Sequence, residues 1–159
     1  MKASYVRVTT PGDVWARLTT LRARTLVFDV EPLVAFWDTD QGVLADGIAA
    51  VLAAAVGAAP DSVVFATNSA RRPPIPPAVA WAKIGYLASA RKPLRVAAYQ
   101  DLPRPGVVIG DQVATDGILA WRLDYAFMHY TPQLPGVPLG PRLMRQVGRP
   151  IRPLLFRNA

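Results

Sequence analysis

The stretch that decides the fold is Leu26-Val27-Phe28-Asp29-Val30-Glu31, an apolar run that ends in two acidic residues. Consecutive apolar side chains are typical of a strand that is buried on both faces of a parallel sheet. Strand residues two apart point to the same face, so Asp29 and Glu31 project together where Val30 continues the pleat. In an open α/β sheet, ligands bind at the carboxyl ends of the strands. The pair therefore predicts a site that holds a cation or divides nucleophilic and acid–base chemistry between two carboxylates.

Strands and helices alternate along the rest of the chain. Apolar runs bounded by turn residues predict strands at residues 25–30, 62–66, 85–88, 106–110 and 125–130. Helices are predicted near residues 14–21, 40–56, 77–84, 93–102 and 115–122, the first of them with Asp13 as its N-cap. Strands that alternate with helices imply right-handed βαβ units. The predicted fold class is therefore α/β, with a mainly parallel five-stranded sheet.

The chain of 159 residues is predicted to form one domain, because 52% apolar and 18% charged residues favour a packed core over disorder. Prolines and glycines multiply after Thr131, so we expect the domain to span residues 1–132. Residues 133–159 are expected to form a Pro- and Arg-rich tail. A short amphipathic helix is expected at residues 139–147, with Leu139, Leu143 and Val147 on one face.

Composition argues against several kinds of site and segment. The chain contains no cysteine, which excludes disulfide frameworks, thiolate metal sites and cysteine nucleophiles, and favours a reducing compartment. The first residues lack the apolar run of a signal peptide, and the apolar stretch at residues 42–59 is too short and too rich in alanine for a membrane span. We therefore expect a soluble cytoplasmic protein.

The net charge of +7 is concentrated at the C-terminal end, and the last eighteen residues contain Arg142, Arg145, Arg149, Arg152 and Arg157. A cluster of this kind attracts anionic lipid, nucleic acid or an acidic partner. One expectation is peripheral contact with an anionic membrane at its inner, cytoplasmic face. The other is a solvated tail that aids solubility. Nucleic-acid binding is not expected, because charge alone favours it.

Polar residues follow four of the predicted strands. In chain order these residues are Asp29 and Glu31, then Thr67, Asn68 and Ser69, then Arg91 and Lys92, then Asp111 and Asp116. The carboxyl ends of parallel strands converge on one edge of a sheet. Carboxylates suit Mg²⁺, whereas hydroxyls, backbone N–H groups and a lysine suit a phosphoryl group. Because an aspartate beside both can attack phosphorus, the set predicts metal-assisted phosphoryl transfer.

These residues resemble the motifs of the haloacid dehalogenase (HAD) superfamily. Within it they are most similar to the compact subclass IIIA phosphatases called YqeG-like, which include the phosphatidylglycerophosphate phosphatases. The family's first motif, Asp-Leu-Asp-Asn-Thr-Leu-Val-Pro-Trp-Asp, aligns without a gap with Asp29-Val30-Glu31-Pro32-Leu33-Val34-Ala35-Phe36-Trp37-Asp38. The other three motifs correspond to Thr67-Asn68, to Lys92-Pro93-Leu94, and to Gly110-Asp111-Gln112 with Thr115-Asp116. The resemblance covers residues 14–132 and keeps the motifs in chain order.

The resemblance implies a three-layer, Rossmann-like HAD fold without a large cap domain, and a phosphatase that works through an aspartyl-phosphate intermediate with Mg²⁺ as cofactor. The implied catalytic residues are Asp29 as nucleophile, Glu31 as acid and base, Thr67 and Lys92. The implied phosphate-binding residues are Thr67, Asn68 and Lys92, and the implied metal ligands are Asp29, Glu31 through its carbonyl, Asp111 and Asp116. The implied substrate is phosphatidylglycerophosphate or another bulky phosphomonoester.

Two positions depart from the family's first motif. Glu31 stands where family members carry aspartate, and Leu33 stands where they carry threonine. Glutamate is one methylene longer than aspartate, so its carboxylate could overshoot the leaving oxygen. A misplacement of about 1 Å can cost about a hundredfold in rate. General acid–base catalysis, the step in question, contributes about 10²–10⁴-fold. The alternative function is therefore a catalytically impaired HAD domain that acts as a binding or scaffold protein.

Overall fold

The structure, a computed structural model, describes residues 2–158 except for the side chain of residue 158. The strands are β1 (Ala3–Val8), β2 (Thr25–Asp29), β3 (Ser62–Ala66), β4 (Lys83–Leu87), β5 (Gly106–Gly110), β6 (Ala126–Tyr130) and β7 (Phe156–Asn158). They form one sheet in the order β4-β3-β2-β5-β6-β1-β7, and every pair is parallel. The predicted α/β class is confirmed. The predicted number of five strands is wrong, because β1 and β7 add to the sheet beyond β6.

The helices are α1 (Pro11–Leu21), α2 (Gln41–Ala55), α3 (Ile118–Leu123), α4 (Leu139–Val147) and α5 (Arg152–Leu155). Short 3₁₀ turns occupy Val56–Ala58 and Ala97–Tyr99, and a π-helical turn at Val113–Gly117 precedes α3. No helix forms at residues 77–84, where residues 77–82 are irregular, and the helix expected at 93–102 is reduced to a 3₁₀ turn. Strand β4 begins at Lys83, two residues earlier than predicted, so the end of the predicted helix belongs to the sheet.

The N-cap of α1 is Thr10 rather than the expected Asp13. The Thr10 hydroxyl accepts from Asp13 N at 3.1 Å, and the Asp13 carboxylate accepts from Thr10 N at 3.2 Å. This is a capping box, which satisfies two backbone donors that the first turn would leave unpaired. The helix therefore begins at Pro11, earlier than the apolar periodicity alone predicts.

The sheet is the middle of three layers. On one face, α1 and α2 bury apolar side chains against the inner positions of the central strands. On the other face, α3, α5 and the 3₁₀ turn at Ala97–Tyr99 form a second core. Residues 41–58 are long and apolar enough to suggest a membrane span, with a mean hydropathy of 1.6, contrary to the expectation from sequence. This is a weak indication, since α2 buries Leu44, Ile48 and Val51 as a core helix does.

The C-terminal segment returns to the sheet. Helix α4 has the predicted bounds, and β7 then pairs with β1 in parallel. At the end of α4, Gly148 lies so close to the π-helical turn that a Cβ there would be 2.7 Å from Val113 Cβ. Residues 133–158 thus pack on the domain that the sequence places before them, and they bring α4 to the carboxyl ends of the strands.

The centre of the sheet contains the topological switch point. From β2 the chain proceeds to β3 and β4 on one side, whereas β5 and β6 lie on the other side. The crevice at such a reversal, outside the carboxyl ends of the strands, is the usual ligand site of an open α/β sheet. Here the crevice lies between β2, which ends at Asp29, and β5, which ends at Gly110.

Candidate active site

Four polar residues predicted from the strand ends meet at this crevice. Asp29 is the last residue of β2, Thr67 follows β3, Lys92 lies in the loop after β4 and Asp111 follows β5. All four are buried, with residue exposures between 1% and 8%. Burial of charged groups is costly unless they are paired, so their arrangement is a specific feature of the fold.

Three carboxylates form a compact cluster. One oxygen from each of Asp29, Asp111 and Asp116 lies within 4.8 Å of the other two. Asp116 is fully buried and reaches the cluster across Gly110, where a Cβ would overlap its carboxylate. The backbone N–H of Gln112 donates to Asp116 Oδ2 at 3.2 Å and fixes its orientation. Glycine at position 110 is therefore what allows the third carboxylate to join the other two.

Lys92 neutralises part of this charge. Its ammonium group donates to Asp29 Oδ1 at 2.7 Å, to Asp116 Oδ1 at 2.8 Å and to the Ala66 carbonyl at 3.1 Å. These bonds use all three donors of the ammonium group, and the side chain is 2% exposed. Lys92 is consequently held in one position between the two carboxylates.

Arg145 of α4 binds the third carboxylate. Its Nε donates to Asp111 Oδ2 at 2.7 Å, while the buried Asp111 Oδ1 has no partner among the described residues. Among residues 2–158, the three carboxylates of the cluster form ion pairs with only two cations, Lys92 and Arg145. Carboxylate oxygens are the ligands that Mg²⁺ prefers, and a buried oxygen without a partner is costly. Asp29, Asp111 and Asp116 therefore fit a divalent cation.

The charges in the cluster shift one another's pKa values. Burial, and then the Asp116 carboxylate, raise the pKa of Asp29 well above its ordinary value against the opposing effect of Lys92. Burial and Asp116 likewise raise the pKa of Asp111 to about 6, although Arg145 opposes this. Burial acts to lower the pKa of Lys92, but Asp116 and Asp29 outweigh it and leave that pKa above its ordinary value. The lysine thus stays charged, whereas protons compete with any cation for the aspartates.

Glu31 lies apart from the carboxylate cluster. Its side chain accepts from the Thr67 hydroxyl at 2.8 Å, and Arg71 Nη1 lies 3.5 Å from its other oxygen. Arg71 is itself held by the Phe36 carbonyl at 2.6 Å and by the Thr39 hydroxyl. The two acids of the opening strand therefore differ in role, since Asp29 faces the lysine and Glu31 faces the hydroxyl.

Asn68 lines the crevice and also positions Lys92. Its side-chain oxygen accepts from Lys92 N at 2.7 Å, and its side-chain nitrogen donates to the Lys92 carbonyl at 3.2 Å. The Thr67 hydroxyl meanwhile lies 3.0 Å from Ser69 Oγ and accepts from Ser69 N at 3.1 Å. All three residues expected to bind phosphate, Thr67, Asn68 and Lys92, line the crevice, and Asn68 in addition fixes the backbone of the loop that carries Lys92.

The crevice encloses a cavity of about 360 Å³ whose far wall is α4. Asp29, Glu31, Thr67 and Lys92 line it from the sheet side. Gly140, Pro141 and Met144 line it from α4. The sequence did not single out Met144 or the approach of Arg145 to Asp111. From the sequence, the only signal is an arginine that recurs among apolar residues, and this pattern also fits a solvated or lipid-facing tail.

Comparison with known proteins found no family model, no curated protein and no solved structure that matches this chain. The resemblance to the HAD superfamily therefore depends on the motif residues alone.

Proposed function

We propose that the protein is a Mg²⁺-dependent phosphomonoester hydrolase of the HAD type, working through an aspartyl phosphate on Asp29. The observation that carries the proposal is the buried ammonium group of Lys92, which bonds Asp29 at 2.7 Å and Asp116 at 2.8 Å. The Thr67 hydroxyl lines the same cavity. A nucleophile, a charge-neutralising lysine, a hydroxyl donor and a carboxylate cluster are the groups that phosphoryl transfer needs.

In this mechanism the oxygen of Asp29 that Lys92 does not hold, Oδ2, is the nucleophile. It forms the bond to phosphorus as the bond to the leaving oxygen breaks, and protonated Glu31 gives its proton to that oxygen. The Glu31 carboxylate then takes a proton from water, whose oxygen attacks phosphorus and restores the Asp29 carboxylate. The Thr67 hydroxyl donates to a phosphoryl oxygen in place of Glu31, and the Lys92 ammonium beside Asp29 supplies positive charge there. Mg²⁺ held by Asp29, Asp111 and Asp116 would supply positive charge to the same oxygens.

A second candidate function is a binding or scaffold domain that has lost turnover. The specific observation in its favour is that the Thr67 hydroxyl already donates to the Glu31 carboxylate at 2.8 Å, and that Arg71 Nη1 lies 3.5 Å from the other oxygen of that carboxylate. A phosphoryl group would have to displace that contact. Leu33 adds to this case, because the hydroxyl expected there is missing.

One assay separates the two candidates. Phosphate release would be measured with and without Mg²⁺, from an aryl phosphate and from phosphatidylglycerophosphate. Turnover that is Mg²⁺-dependent and abolished by Asp29→Asn would establish the enzyme. Asp46→Asn, an exposed aspartate of α2, is the matched control and should retain turnover. No turnover by the wild type, with recovery in Glu31→Asp, would establish the impaired domain. No turnover by either variant or the wild type would refute the hydrolase.

We further propose that the protein is cytoplasmic and that α4 contacts an anionic membrane surface. Leu139, Leu143 and Val147 recur at helical spacing and are 72%, 49% and 56% exposed. Arginines flank this stripe, and no acidic residue follows Asp124 in the sequence. Basic amphipathic helices bind anionic lipid through this combination. The surface would bring a lipid-borne phosphomonoester to the crevice beside it.

The membrane proposal is tested by co-sedimentation with phosphatidylglycerol vesicles and with neutral vesicles. We expect pelleting with the anionic vesicles only, and its loss in a double variant with Leu143→Ser and Val147→Ser. Val43→Ser is the matched control, because Val43 is 46% exposed on α2. Equal pelleting of the double variant and the wild type would contradict the proposal.

A further inference from the structure

A second cavity lies at the carboxyl ends of β1 and β6, on the far side of Asp111 from the crevice. It measures about 550 Å³, and its lining includes Arg7, Arg145, Arg149 and Arg152. This volume is within the range of small-molecule sites, roughly 300–1,000 Å³. The proposed hydrolase mechanism gives no role to Arg7, Arg149 or Arg152, whereas Arg145 binds Asp111 of the carboxylate cluster.

The cavity carries an excess of positive charge. Asp111 is the only acidic residue in the described part of the chain that lines it, and that carboxylate is already bound by Arg145 at 2.7 Å. Arg7, Arg149 and Arg152 form no ion pair with any of the described residues 2–158. Three guanidinium groups that face one cavity repel one another, so an anion bound between them would relieve that repulsion.

Several of these groups are held in place by neighbours that carry no negative charge. Arg7 Nε donates to Thr131 Oγ1 at 2.9 Å. The Arg152 guanidinium lies over the Tyr5 ring, 5.2 Å from its centroid. These contacts orient the arginines without neutralising them, which lowers the entropy cost of binding a ligand.

Two further features belong to the wall that Asp111 forms. Arg145 Nη2 is buried without a hydrogen-bond partner among the described residues, so its donor capacity remains unused. His129 bonds Tyr5 OH at 2.8 Å and the Asp111 carbonyl at 3.1 Å. Burial lowers the pKa of His129 to about 4, so this ring adds no charge at neutral pH. The cavity thus presents arginine donors and neutral polar groups together.

We propose that this cavity is a second anion-binding site that takes a phosphate group through Arg7, Arg149 and Arg152. Planar guanidinium groups match phosphate oxygens with paired hydrogen bonds, and three of them suit an anion with several oxygens. The group is either a second phosphate on the molecule that is hydrolysed or a free phosphate-type effector. That the group is a second phosphate of the hydrolysed molecule rests on the proposed function, whereas the binding of a phosphate group in this cavity does not.

Binding is tested by amide NMR on the wild-type protein without divalent cations, with inorganic pyrophosphate as the probe. We expect saturable shifts at Thr131, Gln133 and Arg149, which line the cavity. Shifts at Thr67 and Ser69 report the crevice separately. Perturbation confined to Thr67 and Ser69 would overturn the proposal, because pyrophosphate would then bind in the crevice alone.

Variants show whether the arginines carry the binding. A double variant with Arg7→Gln and Arg149→Gln should weaken pyrophosphate binding at the cavity signals by about tenfold or more, where tenfold corresponds to about 1.4 kcal/mol. Arg142→Gln is the matched control, since Arg142 is an exposed arginine of α4 that does not line the cavity. An equal loss in the control would show that net charge alone attracts the anion, and the site would be refuted. Thermal unfolding of each variant confirms that it is folded.

Turnover distinguishes the two sources of the phosphate group. Kinetics would compare fructose 1,6-bisphosphate with fructose 6-phosphate in the wild type and the double variant. A rise in the KM ratio of bisphosphate to monophosphate in the double variant supports a second phosphate on the substrate. A change in monophosphate turnover on addition of pyrophosphate, lost in the double variant, supports a free effector. If the protein hydrolyses nothing, the NMR result still decides the anion site, so the two proposals fail separately.

Discussion

Replacing Lys92 by methionine tests whether the buried charge network holds the centre of the fold together. The substitution keeps most of the side-chain volume but removes the ammonium group, which bonds Asp29, Asp116 and the Ala66 carbonyl. Removing one partner of a buried ion pair leaves the other charge uncompensated and costs about 3–5 kcal/mol. Because a domain of this size is stable by about 5–15 kcal/mol, the loss is a large share of the total.

The expected loss depends on pH in a defined direction. Burial already raises the pKa of Asp29 above its ordinary value, and without the lysine it must rise further. A carboxyl group whose pKa is higher in the folded than in the unfolded state stabilises the fold only when it is protonated. Its cost to the free energy of unfolding therefore grows as pH rises from the unfolded-state pKa through the folded-state pKa. The free energy that Lys92→Met loses should therefore be smaller at pH 5 than at pH 8.

The assay is urea unfolding of the wild type and the variant at both pH values without divalent cations. Lys83→Met is the matched control, because Lys83 is exposed in β4 and should cost no more than about 0.5 kcal/mol. A loss below about 1 kcal/mol for Lys92→Met at pH 8, or a loss that grows on acidification, would refute the reasoning. Either result would mean that the Lys92 ammonium does not offset the carboxylate charge of Asp29 and Asp116 in the folded protein.

Three further predictions concern the same site. Gly110→Ala should cost about 1–3 kcal/mol in thermal unfolding, because the added Cβ overlaps the Asp116 carboxylate. Gly140→Ala in α4 is the control and should not destabilise the protein, because nothing lies within 4 Å of a Cβ there. Mg²⁺ affinity measured by calorimetry should fall as pH drops below about 6, the pKa of Asp111, because the cation binds the charged form of that carboxyl group. Constant affinity between pH 7 and 5 would contradict this. Inorganic phosphate should bind Glu31→Asp more tightly than the wild type, because the Thr67 hydroxyl becomes free, and equal binding would count against that role.

The central strands were predictable because their signal is local. Strands β3 and β5 have the predicted bounds, and β2 and β6 differ by one residue at one end. Strands β1 and β7, which extend the sheet beyond β6, were not predictable in this way. β1 alternates buried and partly exposed residues rather than forming an apolar run, and β7 has only three residues. Both form because neighbouring strands pair with them, which is a tertiary effect that no local pattern reports.

The candidate site was predictable where the sheet topology itself brings residues together. Strand ends at a switch point must converge, so Asp29, Thr67 and Asp111 could be grouped from sequence alone. Arg145 could not, because it reaches Asp111 only after the chain folds back through residues 133–138. The approach also depends on Gly148, whose missing side chain lets the end of α4 lie against Val113. A residue placed by such long-range packing leaves no signal beyond its own charge.

The longer side chain of Glu31 links the two candidate functions. Its carboxylate accepts from Thr67 at 2.8 Å, and Arg71 stands 3.5 Å away on the other oxygen. An incoming phosphoryl group would take the Thr67 donor and leave Glu31 with Arg71, so one charge-assisted hydrogen bond replaces another of similar strength. The exchange costs Glu31 its hydrogen bond with Thr67 and leaves Arg71 as its partner.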